Sequence, residues 1–430
     1  MGISNLLDSV SVGFLDGVVL DKIGMSNLNW IGKIIQWLIE GIGIVGIGII
    51  VFTLILKTIV LPLDVFSRIK TKKQSLMMEK MRPQMEKLQK QYANDKQMYS
   101  QKVMELQKQN GFSMIGACLP MVVSLVIFMV VFSAFSTYSQ HANLSTYNNM
   151  VEEYNASVSQ YVYTDVDNTV IHENGFLIAE TDLSTNKVEY KVNFDKFMAY
   201  YNADKSEDKL ALPEGFSTVE DYFASLNSES EKKEAVGNYI RVGARKASAA
   251  YYRANKAGFI WVGNIWYPDS MLNKEVPNFS KFSSSVSRAV GSGVDASYEA
   301  SYNEVVANLG KELKTYNGYF VLIVLAIGLM FLQQFITMRS QKAANDLSTV
   351  DGSGAKTTKW MMILMPVIYG IFSFFYSAAF SIYMITNTVF SLVTTLLINK
   401  ILDVTFRKKE LQQVSGRAAG ANSKNRKRLK

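Results

Sequence analysis

The stretch from Ile49 to Leu63 reads IIVFTLILKTIVLPL, an apolar run with a single charge, Lys57. Upstream of it, Gly41 to Leu56 carries no charge. About 20 apolar residues suffice for a helix to cross the hydrocarbon core, so this run predicts a membrane span. A lysine at the centre of such a helix costs roughly 2.5–3.5 kcal/mol to insert. It either snorkels to the interface along its aliphatic stem or is kept for use in a polar cavity. Asp64 follows Lys57 by about 10 Å of helix, a distance that the stem largely covers, so position alone leaves both readings open.

Working outward, three more uncharged runs follow: Gly111 to Gln140, Asn317 to Met338, and Trp360 to Asn399. The last is long enough for two crossings. The expectation is therefore an all-α polytopic membrane protein with five spans, at 41–63, 111–139, 317–338, 360–377 and 378–402. Between the first two spans, Asp64 to Asn110 carries eleven Lys/Arg against five acids, whereas 141–316 leans acidic. By the positive-inside rule the N-terminus lies outside, 64–110 inside, the 140–316 segment outside, and the loop 339–359 and tail 403–430 inside. The formal charge of +8 is thus concentrated on the cytoplasmic side, where it suits anionic lipids or RNA. Three aspartates precede the first lysine, so the N-terminal stretch is expected to be retained, and MGISNL lacks a myristoylation signal.

In the N-terminal segment 1–40, NWIGKIIQWLIE suits a short interfacial helix or the start of a tilted first span, and both readings stand. GIGIVG has the form of a dinucleotide-binding fingerprint, but without the flanking strand it reads as small residues in a packed helix. In 64–110, Met77, Met81, Met85, Leu88 and Tyr92 recur at three- and four-residue spacing. Ala93-Asn94 then interrupts, and Asp95 caps a second helix with Met98, Val103 and Leu106, giving a helical hairpin. Its methionine seam is either core or an adaptable surface for apolar clients. In the outer segment, FLIAETDLSTNKVEYKVNF predicts a β-hairpin and Ser217-Thr218-Val219-Glu220 a helix start, so 141 to about 256 reads as a small α+β domain. Ser297 to Lys314 reads as a helix leading into the third span. The Gly-, Ala-, Ser- and Lys-rich tail is expected to be disordered.

Signatures of enzymes are scarce. The two histidines, His141 and His172, lack metal-ligand spacing, Cys118 has no partner cysteine, and no Walker or nucleophile-elbow motif occurs. No enzyme activity, cofactor or metal is expected. Polar residues inside the apolar runs are the informative ones: Lys57, Thr53, Gln333, Gln334, Ser373, Ser381, Thr386, Asn387, Ser391, Thr394 and Thr395. Hydroxyls there are routine packing groups; the glutamine pair and Asn387 are less so.

Several blocks, in order, resemble the YidC family of membrane-protein insertases, relatives of the mitochondrial Oxa and chloroplast Alb proteins. They are FTLILK followed by Pro62-Leu63, MRPQMEKLQKQY with NDKQ, Ala117-Cys118-Leu119-Pro120, FIWVGNIWYPD, and WMMILMPVIYGIFSFFYSAAFSIYMITNTVFSL with Met365-Pro366 and Asn387. The resemblance is to the form without a large N-terminal periplasmic domain. It implies a five-helix bundle around a hydrophilic groove, with Lys57 where the family has arginine, and Thr53, Gln333, Gln334, Thr386, Asn387 and Ser391 as groove candidates. It also implies nascent membrane-protein clients meeting Met77, Met81, Met85 and Met98 in the hairpin. Arg407, Lys408, Lys409, Arg426, Lys427 and Arg428 would meet a ribosome or anionic lipids. Action alone or beside the Sec translocon in a bacterial plasma membrane is implied, with no role for DNA. The inserted outer domain departs from relatives that have a short loop there. Rival readings are a small-solute transporter with Lys57 as counter-ion, and a surface adhesion or receptor protein acting through the outer domain.

Overall fold

The computed structural model describes residues 18–110, 114–163, 165–166, 169–170, 172–182, 187–206, 209–346 and 353–428; the side chains of Cys118 and of all residues beyond Thr405 lie outside the described set. The chain forms two compact units, one from Met1–Lys33 with Thr137–Tyr319, the other from Ile34–Ser136 with Phe320–Lys430.

Helix α1 (Trp30–Ile42), which belongs to the second unit from Ile34 on, ends at Gly43, whose φ of 78° favours glycine, and Ile44 is extended before α2 (Val45–Gln91) begins. GIGIVG is therefore a turn between helices, and α1 is a helix of its own rather than the beginning of the first span. Ile35 and Ile39 of α1 are buried while Trp30, Ile34 and Trp37 are exposed. A Cβ on Gly48 would sit 2.9 Å from the Ile39 Cα, so glycine lets the two helices approach.

α2 runs through the membrane-length stretch and on into the hairpin as one helix of 47 residues, with Pro62 and Pro83 inside it. The chain turns at 92–95, and α3 (Lys96–Gln109) starts where the Asp95 carboxylate accepts the Met98 N–H at 2.9 Å. The two helices close on Met81, Met85, Tyr99 and Val103, with Met77, Leu88, Tyr92 and Leu106 packed around them.

The second unit also holds the N-terminal part of α4 (Met114–Ser159), and α10 (Val321–Asp346), α11 (Ser353–Phe375) and α12 (Ala378–Arg428). Among the described residues three stretches are long and apolar enough to cross a membrane: Val45–Lys70, Val321–Arg339 and Ala378–Leu402, with a shorter apolar piece at Pro366–Phe375. The expected second run falls partly on 111–125, whose side chains lie outside the described set. α12 continues to Arg428, where composition predicts a disordered tail. Its Leu, Gln, Lys, Arg and Ala residues are good helix formers that extend the helix already nucleated in the span. Aromatic edges join the bundle: Phe132 meets Phe372, Tyr376 and Phe380, and Phe135 lies between Phe52 and Tyr383.

The first unit is built around the C-terminal part of α4. Asn148 and Asn155, two helical turns apart, each bond both backbone groups of the N-terminal segment: Asn148 those of Ile23, Asn155 those of Leu20, at 2.8–3.0 Å. After α4, β1 (Val162–Tyr163) pairs in parallel with β4 (Leu177–Asp182), which pairs antiparallel with β5 (Lys187–Val192); β2 (Asp165–Val166) and β3 (Thr169–Val170) form a separate two-stranded ribbon. The expected Ser-Thr-Asn turn at 184–186 lies outside the described residues. α5 (Phe194–Ala203), α6 (Val219–Ser225) and α7 (Glu229–Asn255) follow. Thr218 caps α6, and a reciprocal Ser228–Glu231 box starts α7. The segment after 256 adds α8 (Phe279–Val290) and α9 (Tyr298–Val306).

α9 stops at Val306 rather than reaching Lys314, because Asn308 and Gly310 favour the turns that follow. α7 is tied to α9 by a bidentate Arg245–Glu304 pair at 2.7 Å, and to the turns beyond by Arg253–Glu312 at 2.7 Å. The Arg253 hydrogen bond holds the Glu312 carboxyl below the ordinary carboxylate range. Its contribution to stability is therefore complete above the unfolded-state value near ~4.3 and is lost as pH falls through the lower folded value. Thermal unfolding of the solubilised chain, followed by circular dichroism, should show a midpoint that drops below about pH 4. Glu312→Gln should flatten part of that drop.

Candidate functional site: the polar face of the first span

Along Val45–Lys70 the exposed positions are Ile47, Leu54, Ile55, Thr58, Ile59, Pro62, Leu63, Phe66 and Lys70. They fall on one side of the helix, an outward stripe that is apolar but for Thr58 and the terminal Lys70. Thr53, Lys57, Asp64 and Arg68 recur at the same spacing on the other side, two positions, or about 200°, from Ile55 and Ile59 in the case of Lys57. Thr53 is buried, and Lys57, Asp64 and Arg68 are half-buried. Lys57 thus points away from the outward stripe. It is also close to midway between Val45 and Lys70, about 18–20 Å from either.

The groups on this face form a charge cluster rather than a lone lysine. Asp64 and Arg68 both act electrostatically on Lys57, and the formal charges of the three groups sum to a single positive one. The Arg68 Nε is buried without a hydrogen-bond partner, and among the described residues Lys57 has no hydrogen bond or ion pair. The cluster holds donors with spare capacity, which suits it to meet an anionic group.

α12, which packs against α2 and α10, presents a second polar element. Ser381, Thr388, Ser391 and Thr395 are buried and, with Met384, fall on one face at three- and four-residue spacing. The Ser381 hydroxyl is buried without a partner, while the Thr395 hydroxyl turns back to the Ser391 carbonyl. Thr386 is half-buried and donates to the Ile382 carbonyl at 2.9 Å; Thr53 does the same to Ile49 at 2.7 Å. Asn387 is half-buried, as are Gln333 and Gln334 on α10, whose Gln333 carbonyl accepts the Thr337 hydroxyl at 3.0 Å.

All seven intramembrane candidates therefore belong to helices of one unit, though among the described residues no hydrogen bond joins Lys57 to the others. Arg68, Asp64 and Thr388 are additions that single-residue inspection passes over. Extending the Thr53–Lys57 spacing past Asp64 would have found the first two.

Of the hairpin methionines, Met81 and Met85 are buried and Met77 half-buried in the seam between α2 and α3, whereas Met98 and Met104 are exposed. Arg407, Lys408, Lys409, Arg426, Lys427 and Arg428 lie on the extension of α12, with side chains outside the described set. Among the described residues no group of three His, Cys, Asp or Glu side chains could hold a metal.

The sequence profile of the family described as "60Kd inner membrane protein" matches residues 37–185 and 252–405, most of the chain and both stretches that carry the polar faces. The chain belongs to that family. Among curated relatives, a protein of Leptospira interrogans serovar Lai named membrane protein insertase YidC is 42% identical over 59 residues, covering 14% of this chain and 9% of that protein. Proteins of the same name from Fusobacterium nucleatum and Mycobacterium leprae are 41% identical over 64 residues and 28% over 90; the matches cover 15% and 21% of this chain, 31% and 24% of theirs. The chain spans less than a third of the length of each. No solved structure matches it. With its membrane-length helices, this member of the family is a multi-pass membrane protein. The profile skips 186–251, the stretch holding β5, α5, α6 and most of α7. Phe197, Tyr201, Phe223, Val236, Tyr239 and Ile240 of that stretch join Tyr154 and Phe176 of the matched part in one core.

Proposed function

We propose that this chain is a membrane-protein insertase and chaperone of the bacterial inner membrane, built on five spans with its N-terminus outside and its tail in the cytoplasm. The observation that carries the reading is the orientation of Lys57, opposite the outward apolar stripe and clustered with Asp64 and Arg68. The family and the names of its relatives supply the kind of work. Thr53, Gln333, Gln334, Thr386, Asn387 and Ser391 complete a hydrophilic groove with Lys57. A short hydrophilic client tail cannot cross about 30 Å of hydrocarbon unaided, and a wet groove part-way through shortens the dry path. Its positive charge draws acidic client residues, more strongly than in bulk water because the surroundings are less polar. The client's apolar helix then moves along α10 and α12 into lipid, driven by hydrophobic transfer and the membrane potential.

The hairpin makes first contact with clients. Burial of Met81 and Met85 in its seam, with Met77 partly buried, leaves Met98 and Met104 as the adaptable exposed surface. The basic residues 407–409 and 426–428 hold a translating ribosome or anionic lipid by charge. The protein acts alone or beside the Sec translocon. Photo-crosslinking amino acids at Gln333, Thr386 and Ile59 test the groove during synthesis of a single-span client with a short acidic tail. Adducts to the tail should form from the first two positions and not from Ile59. Tail adducts confined to Ile59 would place the path on the outward stripe and overturn the reading.

A further inference from the structure

The segment that leads into α10 is fixed by buried polar groups but surrounded by exposed apolar ones. Asn317 is fully buried: its side chain accepts the Asn264 N–H at 2.7 Å and donates to the carbonyls of Asn264 and Pro268 at 2.9 Å. Its backbone N–H and C=O bond Asn273 and Gly263. Buried Asp269 accepts the Tyr319 N–H at 2.7 Å. Two loops are thereby pinned to the same few residues. Their tips carry Ile260, 73% exposed, and Met271 and Leu272, the latter 74% exposed, with Tyr316 and Tyr319 also exposed.

A lone exposed apolar residue needs no explanation, but three on two loops and two more on the segment that fastens them do. The tip at Ile260 is also strained. Its φ is +56°, a conformation glycine adopts freely and a β-branched residue does not, and it is locked by reciprocal Phe259–Val262 hydrogen bonds of 2.9–3.0 Å. The turn holds a large apolar side chain outward where a smaller residue would fit better.

What covers these tips follows from the chain itself and from the charge beside them. Two residues after Tyr319 the membrane-length stretch Val321–Arg339 begins, a reach of about 7 Å. Lys281 donates to the Leu272 carbonyl at 2.7 Å, and the Lys274 ammonium lies 3.8 Å from the Tyr316 ring centroid. Among the described residues neither lysine has a carboxylate partner. Tyrosine at the end of a span is a residue of the membrane interface, where lysine meets anionic headgroups.

We propose that this edge docks on the lipid leaflet from which Val321–Arg339 departs, with Ile260, Met271 and Leu272 inserted among acyl chains and Lys274 and Lys281 against anionic headgroups. Docking holds the inserted unit at a fixed height on the membrane. The proposal does not depend on the insertase reading.

The test uses the full chain in vesicles of phosphatidylglycerol and phosphatidylethanolamine. Cys118→Ala removes the sole cysteine, and single spin labels are placed through Ile260→Cys, Leu272→Cys and, as controls on exposed positions, Glu214→Cys and Ser230→Cys. Labels at 260 and 272 should be several-fold more accessible to oxygen, and several-fold less to an aqueous nickel relaxant, than those at 214 and 230. Replacing phosphatidylglycerol by phosphatidylcholine should make the two labels shallower, and Lys274→Gln with Lys281→Gln should abolish that dependence. Ile260→Gly, which suits the backbone, should leave folding intact while reducing the depth at 272. Equal aqueous access at all four positions, or protection from both relaxants as in a protein contact, would overturn the proposal.

Discussion

Lys57→Glu is expected to lower translocation of a client with a short acidic tail by one to two orders of magnitude, while Lys57→Arg retains it. A carboxylate about 6 Å from a unit charge, at an effective dielectric constant near 20, interacts by about 3 kcal/mol. Reversing the sign at Lys57 changes its cluster with Asp64 and Arg68 from a net single positive to a net single negative charge. Each 1.4 kcal/mol is tenfold, so even partial transmission of that difference gives the expected loss. The effect should shrink as acidic residues are removed from the client tail, which separates loss of attraction from loss of the fold. Arginine keeps the charge and adds a bidentate fork. Arg68→Gln, which removes the buried unpartnered Nε, should give a smaller loss in the same direction. Translocation that ignores both the charge at 57 and the acidity of the tail would remove electrostatics from the account.

The second large effect is structural. Gly318→Ala should break the staple before α10 outright, because the new Cβ would lie 2.9 Å from the Asp269 Cα and closer still to its carboxylate. Asp269 cannot retreat easily: it is fully buried and accepts the Tyr319 N–H. Asn317→Ala takes the partner from the Asn264 N–H and the Pro268 carbonyl, at about 1–3 kcal/mol each, while the Asn264 carbonyl keeps the Tyr267 N–H. Hydrogen exchange of the full chain should show protection lost at 263–273 and 317–319 in both variants, with 378–402 unchanged. Wild-type protection at Asn264 in Asn317→Ala would mean that the side chain does not hold the loops.

Much of the architecture is legible because it is local. The cap at Asp95, the alternation on either side of the β4–β5 turn and the cap at Thr218 each depend on a few adjacent residues. The start of α10 is not, since Asn317–Phe320 looks like part of the apolar run. Its departure from the helix depends on partners at 264, 268, 269 and 273 and on the φ of +64° at Phe320. The continuity of α2 into the hairpin is hidden for another reason: the change from apolar to basic composition at Asp64 comes with no break in the helical backbone. At the candidate site the residue types are legible one at a time. The face they share with Arg68, and its opposition to the stripe of Ile55, Ile59, Leu63 and Phe66, needs the burial pattern as well. Asn148 and Asn155 show the limit of sequence reading, because nothing near them says that they bind a segment more than a hundred residues away.

The most direct measurement replaces a depleted bacterial insertase by this chain, as wild type, Lys57→Arg or Lys57→Glu, and scores translocation of a short-tailed single-span client. The account predicts translocation with wild type and Lys57→Arg, and its loss with Lys57→Glu despite equal protein levels in the membrane. Translocation by Lys57→Glu equal to wild type would contradict it.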